Sequence, residues 1–226
     1  MVFARHVPLF NNRMIEHRIP EAYLSTAYLG NVQYFSKLAN AEVLYLEQNE
    51  HYQKQSYRNR CCIMGANGML TLVIPVEREH GKKMPIRDVK IDYSEAWQQN
   101  HWRAMLSAYS SSPFFEYYAD DIRPFYEEKK TYLFDYNLQL TELMLDLLSL
   151  STNIVLTDTY QAEVKYLQHD YRQSINPKKR LAKPDACFNP TSYFQVFSQR
   201  FDFTPNLSIV DLLFNEGPAA PQHLLL

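Results

Sequence analysis

Between residues 45 and 63 the chain concentrates side chains able to do chemistry: Glu47, Glu50, Lys54, Ser56, Arg58, Asn59 and Arg60. They lie between two apolar runs, Val43–Leu46 and Leu70–Val76. A guanidinium is a planar fork of donors that matches carboxylate or phosphate. If residues 56–64 form a strand, alternation aims Ser56, Arg58, Arg60 and Cys62 to one side. With Lys54 near that side they would clamp an anion; Tyr57, Asn59, Cys61 and Ile63 would point the other way, with Asn59 still a candidate substrate-binding residue. The competing reading is an ordinary solvated sheet face paired with Glu47 and Glu50. General-base candidates are Glu47 and His101. His101 shares a helical stripe with Trp97 and Met105, so a packed, hydrogen-bonded histidine competes with the catalytic role. Tyr28 stands near the end of the first apolar run, before the turn at Gly30, and would line the same cleft. Asp158 closes the run Asn153–Thr157, where it can contact a ligand or cap the strand. Asp120 and Asp121 read as charges at a helix N-terminus rather than as an acid–base pair.

The positioning elements follow from periodicity. An apolar, β-compatible run over 22–29, a turn at Gly30, helical spacing from Val32 to Ala39 and a short strand over 43–46 spell a βαβ unit with parallel strands. Ligands of open α/β sheets bind at the carboxyl ends of such strands. Asn67-Gly68 predicts a hairpin whose two central residues take positive φ. Residues 86–93 alternate, with Val89, Ile91 and Tyr93 facing inward, and predict another strand. A helix from Ser94 through Tyr109 ends at Ser110–Pro113. Residues 133–150 are expected to form the most buried helix, with Leu138, Leu143, Leu147 and Leu150 inaccessible. A last helix over 205–214 is capped by Ser208, with Asp211 at its third position, and stops at Gly217. The fold class is α/β: a mixed sheet with an N-terminal βαβ unit and an antiparallel hairpin, packed by helices. Residues 1–20 read as an N-terminal extension and 21–226 as a single domain.

Composition narrows the function. Of 226 residues, 46% are hydrophobic, enough for a substantial core, and 17 Tyr with 13 Phe make that core aromatic. Five glycines argue against a glycine-rich nucleotide loop, and a net charge of −2 leaves no footprint for nucleic acid. Cys61, Cys62 and Cys187 lack metal-ligand spacing, and so sparse a set fits a reducing compartment. With no apolar run of membrane-spanning length and no signal-peptide core, the expectation is a cytoplasmic protein. Nothing specifies a cofactor, and no Ser elbow, P-loop or Cys–His signature is visible.

Several blocks occur together and in order: Tyr28-Leu29, Tyr34-Phe35, the run Gln53 to Arg60, Gly68, Leu72 to Val76, Ile86 to Ile91, Trp97, His101-Trp102, Tyr109, Pro113 to Phe115, Leu133 to Asn137 and Leu207 to Pro218. In these the chain resembles the WbqC-like family over roughly residues 22–218. It departs from the usual pattern at Ser25-Thr26 and Gly30–Gln33, and where an Asp commonly follows the second strand it has Glu47-Gln48. The resemblance implies a place in surface polysaccharide biosynthesis of the O-antigen type. The implied reaction is transfer of an amino acid, glycine for one member, or of an acyl group to a sugar nucleotide or glycan intermediate. The alternative is a non-catalytic cytoplasmic protein that recognises such an intermediate or a partner enzyme. Expected partners are an anionic small molecule or sugar nucleotide and a second copy of the chain.

Overall fold

A computed structural model describes residues 19–77 and 83–225. The fold is mixed α/β. A three-stranded parallel sheet is built from β1 (Ile19–Ser25), β2 (Ala41–Glu47) and β5 (Ile154–Leu156), in the order β1-β2-β5. A two-stranded antiparallel sheet is built from β3 (Arg60–Gly65) and β4 (Gly68–Val73). Helix α1 (Val32–Asn40) connects β1 to β2 and completes the expected βαβ unit. Asn31 caps α1, its side-chain oxygen accepting from Tyr34 N at 2.9 Å. The expected N-terminal extension lies almost wholly outside the described residues; Ile19 and Pro20 already belong to β1.

The remaining helices are α2 (Trp97–Tyr109), α3 (Phe115–Ile122), α4 (Leu133–Leu147), the short α5 (Ser198–Phe201) and α6 (Ile209–Glu216). They pack on the two sheets around one aromatic-rich core that includes Tyr28, Phe35, Trp97, Tyr109, Tyr136 and Phe214. Every residue of α6 from Ile209 to Asn215 is buried, because the helix is enclosed by α1, α3 and β3. It stops at Gly217, whose φ of 51° only glycine adopts freely, as expected.

Several local expectations change. Residues 56–59 form turns, and β3 starts at Arg60. Ser56 Oγ donates to Gln53 O at 2.7 Å and Gln55 has φ 57°, so local bonds divert the chain before the strand begins. In the hairpin the positive φ, 113°, falls on Gly68 rather than on Asn67. Residues 86–93 are not a strand: Ile86–Asp88 is a 3₁₀ turn behind Pro85, and only isolated bridges follow, Lys90 to Tyr132 and Ile91 to Val76. Val89 and Ile91 nevertheless face the core.

α4 buries Leu133, Phe134, Tyr136, Asn137, Leu140, Thr141, Met144 and Leu145. Leu138, Leu143, Leu147 and Leu150 are only partly buried, and α6 rather than α4 is the most enclosed helix. Leucines surround α4, so its sequence left the buried face undecided. Asp120 and Asp121 are exposed near the C-terminus of α3, since that helix starts earlier, at Phe115. The Ser208 hydroxyl donates to Leu29 O at 2.8 Å instead of capping α6.

Candidate functional site at the carboxyl edge of the parallel sheet

Parallel pairing puts the carboxyl ends of β1, β2 and β5 on one edge, with Ser25 in register with Glu47. A network of buried charge is built there. Glu47 is fully buried; its Oε1 accepts from Thr157 Oγ1 at 2.7 Å and Asn49 N at 2.8 Å. Its Oε2 faces Arg172 Nη1 at 3.3 Å. Arg172 forms a two-pronged pair with Asp170, through Nε at 2.8 Å and Nη2 at 2.7 Å. The Arg172 guanidinium lies over the rings of Tyr23 and Tyr160, 5.8 and 5.4 Å from their centres.

Glu50 and Arg58 make the second pair. Arg58 Nε donates to Glu50 Oε1 at 2.7 Å and Nη2 donates to Oε2. Nη2 also reaches Ser25 Oγ at 2.6 Å and Arg172 O at 3.3 Å, so Arg58 joins the loop after β2 to the end of β1. Arg58 borders a void of only about 10 Å³, room for about one water and no more.

The space for a ligand lies on the other side of Glu50. A cavity of about 440 Å³ is walled by Asn49, Glu50, His51, Gln53, Lys83 and Tyr160, together with Tyr52 and Gln173. The segment 50–52 is held in place by backbone bonds from Ile86 N to Glu50 O and from Tyr52 N to Met84 O, at 2.8 and 2.9 Å. Amides, an imidazole, an ammonium group and aromatic residues beside the Glu50–Arg58 pair suit a hydroxyl-rich or amino-bearing ligand.

The residues expected from the sequence are distributed differently. Glu47 is fully buried and does not line the cavity, and Asp158 is exposed one residue past the Glu47 partner Thr157. Lys54 is exposed in the turn beside Gln53. Arg58 is consumed by Glu50, whereas Arg60 lies on β3 opposite Val73, so the two arginines do not share one strand face. Asn59 is buried; its Nδ2 donates to Ile74 O at 2.8 Å, fastening the turn to the end of β4.

Tyr28 and His101 do come together, within the core. The Tyr28 hydroxyl is 2.9 Å from His101 Nδ1 and 2.8 Å from the Tyr126 hydroxyl. Burial pushes the His101 pKa down to about 4, against a hydrogen bond to the Val73 backbone. Burial, reinforced by Tyr126, pushes Tyr28 well above the usual phenol range. Sequence reasoning did not single out His51, Lys83 or Tyr160. Glu50 appeared there only as a neutralising partner; its adjacency to His51 was the available signal.

A parallel α/β sheet carrying a polar cavity and paired charges at its carboxyl edge defines the class of the molecule. The chain belongs to the WbqC-like protein family, whose model matches residues 26–176, more than half its length. It is also similar to the uncharacterized protein Rv1507c of Mycobacterium tuberculosis, 27% identical over 223 residues, which covers 90% of this chain and 96% of that protein. No solved structure matches. Among the described residues there is no helix long and apolar enough to cross a membrane and no group of His, Cys, Asp and Glu that could hold a metal ion.

Proposed function

We propose that this WbqC-like protein acts in surface polysaccharide biosynthesis, transferring an amino acid such as glycine, or another acyl group, to a sugar nucleotide or glycan intermediate bound in the carboxyl-edge cavity. The observation that carries this reading is a 440 Å³ cavity rich in amide and aromatic groups, with Glu50, paired to Arg58, among the residues of its wall. In this assignment Glu50 accepts a hydrogen bond from the acceptor's amine or hydroxyl and orients it. His51 takes the proton as the new acyl bond forms, and returns it to the thiol or alcohol released when the carbonyl bond of the activated ester or thioester donor breaks. Lys83 in the wall, and the exposed Lys54 next to Gln53, attract the phosphates. Glu47, Arg172 and Arg58 are positioning residues that hold the loop 48–53 against β1 and β5. The proposed pathway context rests on the likeness to the WbqC-like family.

A second reading, recognition of the same intermediate without turnover, is favoured by the pairing of the buried charges with one another and by the burial of His101. The test has two stages. Thermal unfolding is followed with amino-sugar nucleotides, with glycine and with acyl thioesters; a ligand at 100 times its Kd adds about 2.7 kcal/mol to stability. Donor and acceptor are then incubated together and analysed by mass spectrometry. A stabilising sugar nucleotide whose effect is lost in Lys83→Ala, plus an amide or ester product lost in His51→Ala, supports transfer. Stabilisation without product supports the second reading. No stabilisation by any sugar nucleotide refutes both.

A further inference from the structure

A second cavity, of about 560 Å³, opens at the other end of the parallel sheet, bordered by Ile19 at the amino end of β1. Phe188, Leu224 and Leu225 add apolar wall, and Thr191 and His223 line the same space. The Thr191 hydroxyl Oγ1 is 2.8 Å from His223 Nδ1. On the far side of the ring, Glu216 Oε2 stands 3.7 Å from His223 Nε2. The other oxygen of Glu216 accepts from Phe194 N at 3.1 Å, which ties the loop carrying Thr191 to the end of α6. The Tyr193 ring packs edge-on to the imidazole at 5.5 Å and holds its plane. A hydroxyl, an imidazole and a carboxylate therefore stand in line, assembled from positions 191, 216 and 223. The carboxylate favours the imidazole proton on Nε2, leaving the Nδ1 lone pair to the hydroxyl. The Thr191–His223 contact is that of an activated oxygen nucleophile, and Glu216, beyond hydrogen-bond reach at 3.7 Å, acts on the ring as a nearby negative charge.

We propose that Thr191, His223 and Glu216 form an acyl-transfer centre that takes esters or thioesters of an aliphatic acyl group, the acyl chain lying along Ile19, Phe188, Leu224 and Leu225. It shares no residue with the carboxyl-edge cavity and does not depend on the function assigned there. Thr191 Oγ1 attacks the carbonyl carbon while its proton passes to His223 Nδ1. The carbonyl–X bond then breaks, and X, an alcohol or thiol, departs with that proton. The products are an ester on Thr191 and HX. Water or an amine next attacks the ester, giving its proton to His223, which returns it to Thr191 Oγ1 as the acid or amide leaves. The cavity volume falls within the range of small-molecule sites.

The probe is p-nitrophenyl butyrate with the full chain. The expected result is a rapid release of p-nitrophenolate approaching one equivalent per chain, with a butyryl adduct mapped by peptide mass spectrometry to Thr191. Thr191→Val and His223→Gln should slow the burst by about 100-fold or more, the usual worth of a positioned base. Thr191→Ser should retain it, and so should Cys187→Ser, since Cys187 lines the cavity without joining the relay. Thr191 is exposed, so its variants should unfold at the wild-type temperature. An adduct on Cys187 or on a lysine, labelling undiminished in Thr191→Val, or the absence of any burst and adduct in the wild type would overturn the proposal.

Discussion

Removing the Glu50 carboxylate measures how much of the site is scaffold. The Glu50 and Arg58 side chains are only 4% and 3% exposed, and two charge-assisted bonds join them. Glu50→Ala leaves Arg58 with Ser25 Oγ and Arg172 O alone, both uncharged acceptors. Truncating one partner of a buried pair costs roughly 3–5 kcal/mol, because the other charge stays buried and uncompensated. For a chain of this size 1 kcal/mol moves the unfolding midpoint by about 2–4 °C, so a fall of roughly 6–20 °C is expected. The double change Glu50→Leu with Arg58→Met removes both charges and fills similar volume, and it should be more stable than Glu50→Ala. The assay is urea unfolding followed by the fluorescence of Trp97 and Trp102, with a double-mutant cycle. A Glu50→Ala loss below about 1 kcal/mol, or a double variant no more stable than Glu50→Ala, would refute the assignment of this pair as a buried clamp between β1 and the loop after β2. By the same geometry, Arg58→Ala should lower fold stability and not ligand affinity alone.

Three further outcomes follow from the packing. His101 is neutral in the fold, with a pKa near 4 against 6.5 when unfolded. The unfolded chain therefore binds the extra proton, and stability present above pH 6.5 should drain away as pH falls to 4. The fall from 6.5 to about 4 corresponds to roughly 3 kcal/mol, and His101→Gln should flatten that slope in urea titrations between pH 7 and pH 4.5; an unchanged slope would contradict the burial. Leu140→Ala should cost roughly 2–5 kcal/mol and Leu143→Ala clearly less, since Leu140 is 1% exposed and Leu143 only partly buried; equal losses in denaturant unfolding would show the α4 face is misassigned. Gly217→Ala should lower the melting temperature, by the equivalent of about 1–3 kcal/mol, because φ is 51° and a Cβ there would lie 2.5 Å from the Phe114 ring; unchanged melting would show the helix end can shift.

The sequence alone determined the βαβ unit, the hairpin and the end of α6. Those features rest on local physics: alternating or helical spacing of apolar residues, a turn at Gly30, glycine at Gly68 and Gly217 where the backbone needs positive φ. Direction and partnership were not local. Arg58 and Arg60, two apart, would share a face only if the strand had begun by residue 56; the bond from Ser56 to Gln53 O turned the chain first. Asp211, readable as a helix-cap acid, instead accepts hydrogen bonds from Tyr109, Tyr193 and Gln195 in the core, where burial raises its pKa. Leucines all round α4 fit either face, and only the neighbours that pack against it chose Leu140 over Leu143. Thr191, Glu216 and His223 show no motif in the chain because their meeting depends on where the loop around 191 docks against α6. Spacing along a chain encodes what one element buries. Which charges and hydroxyls converge is settled by the long-range contacts that stack the elements, and those are carried by no single stretch of residues.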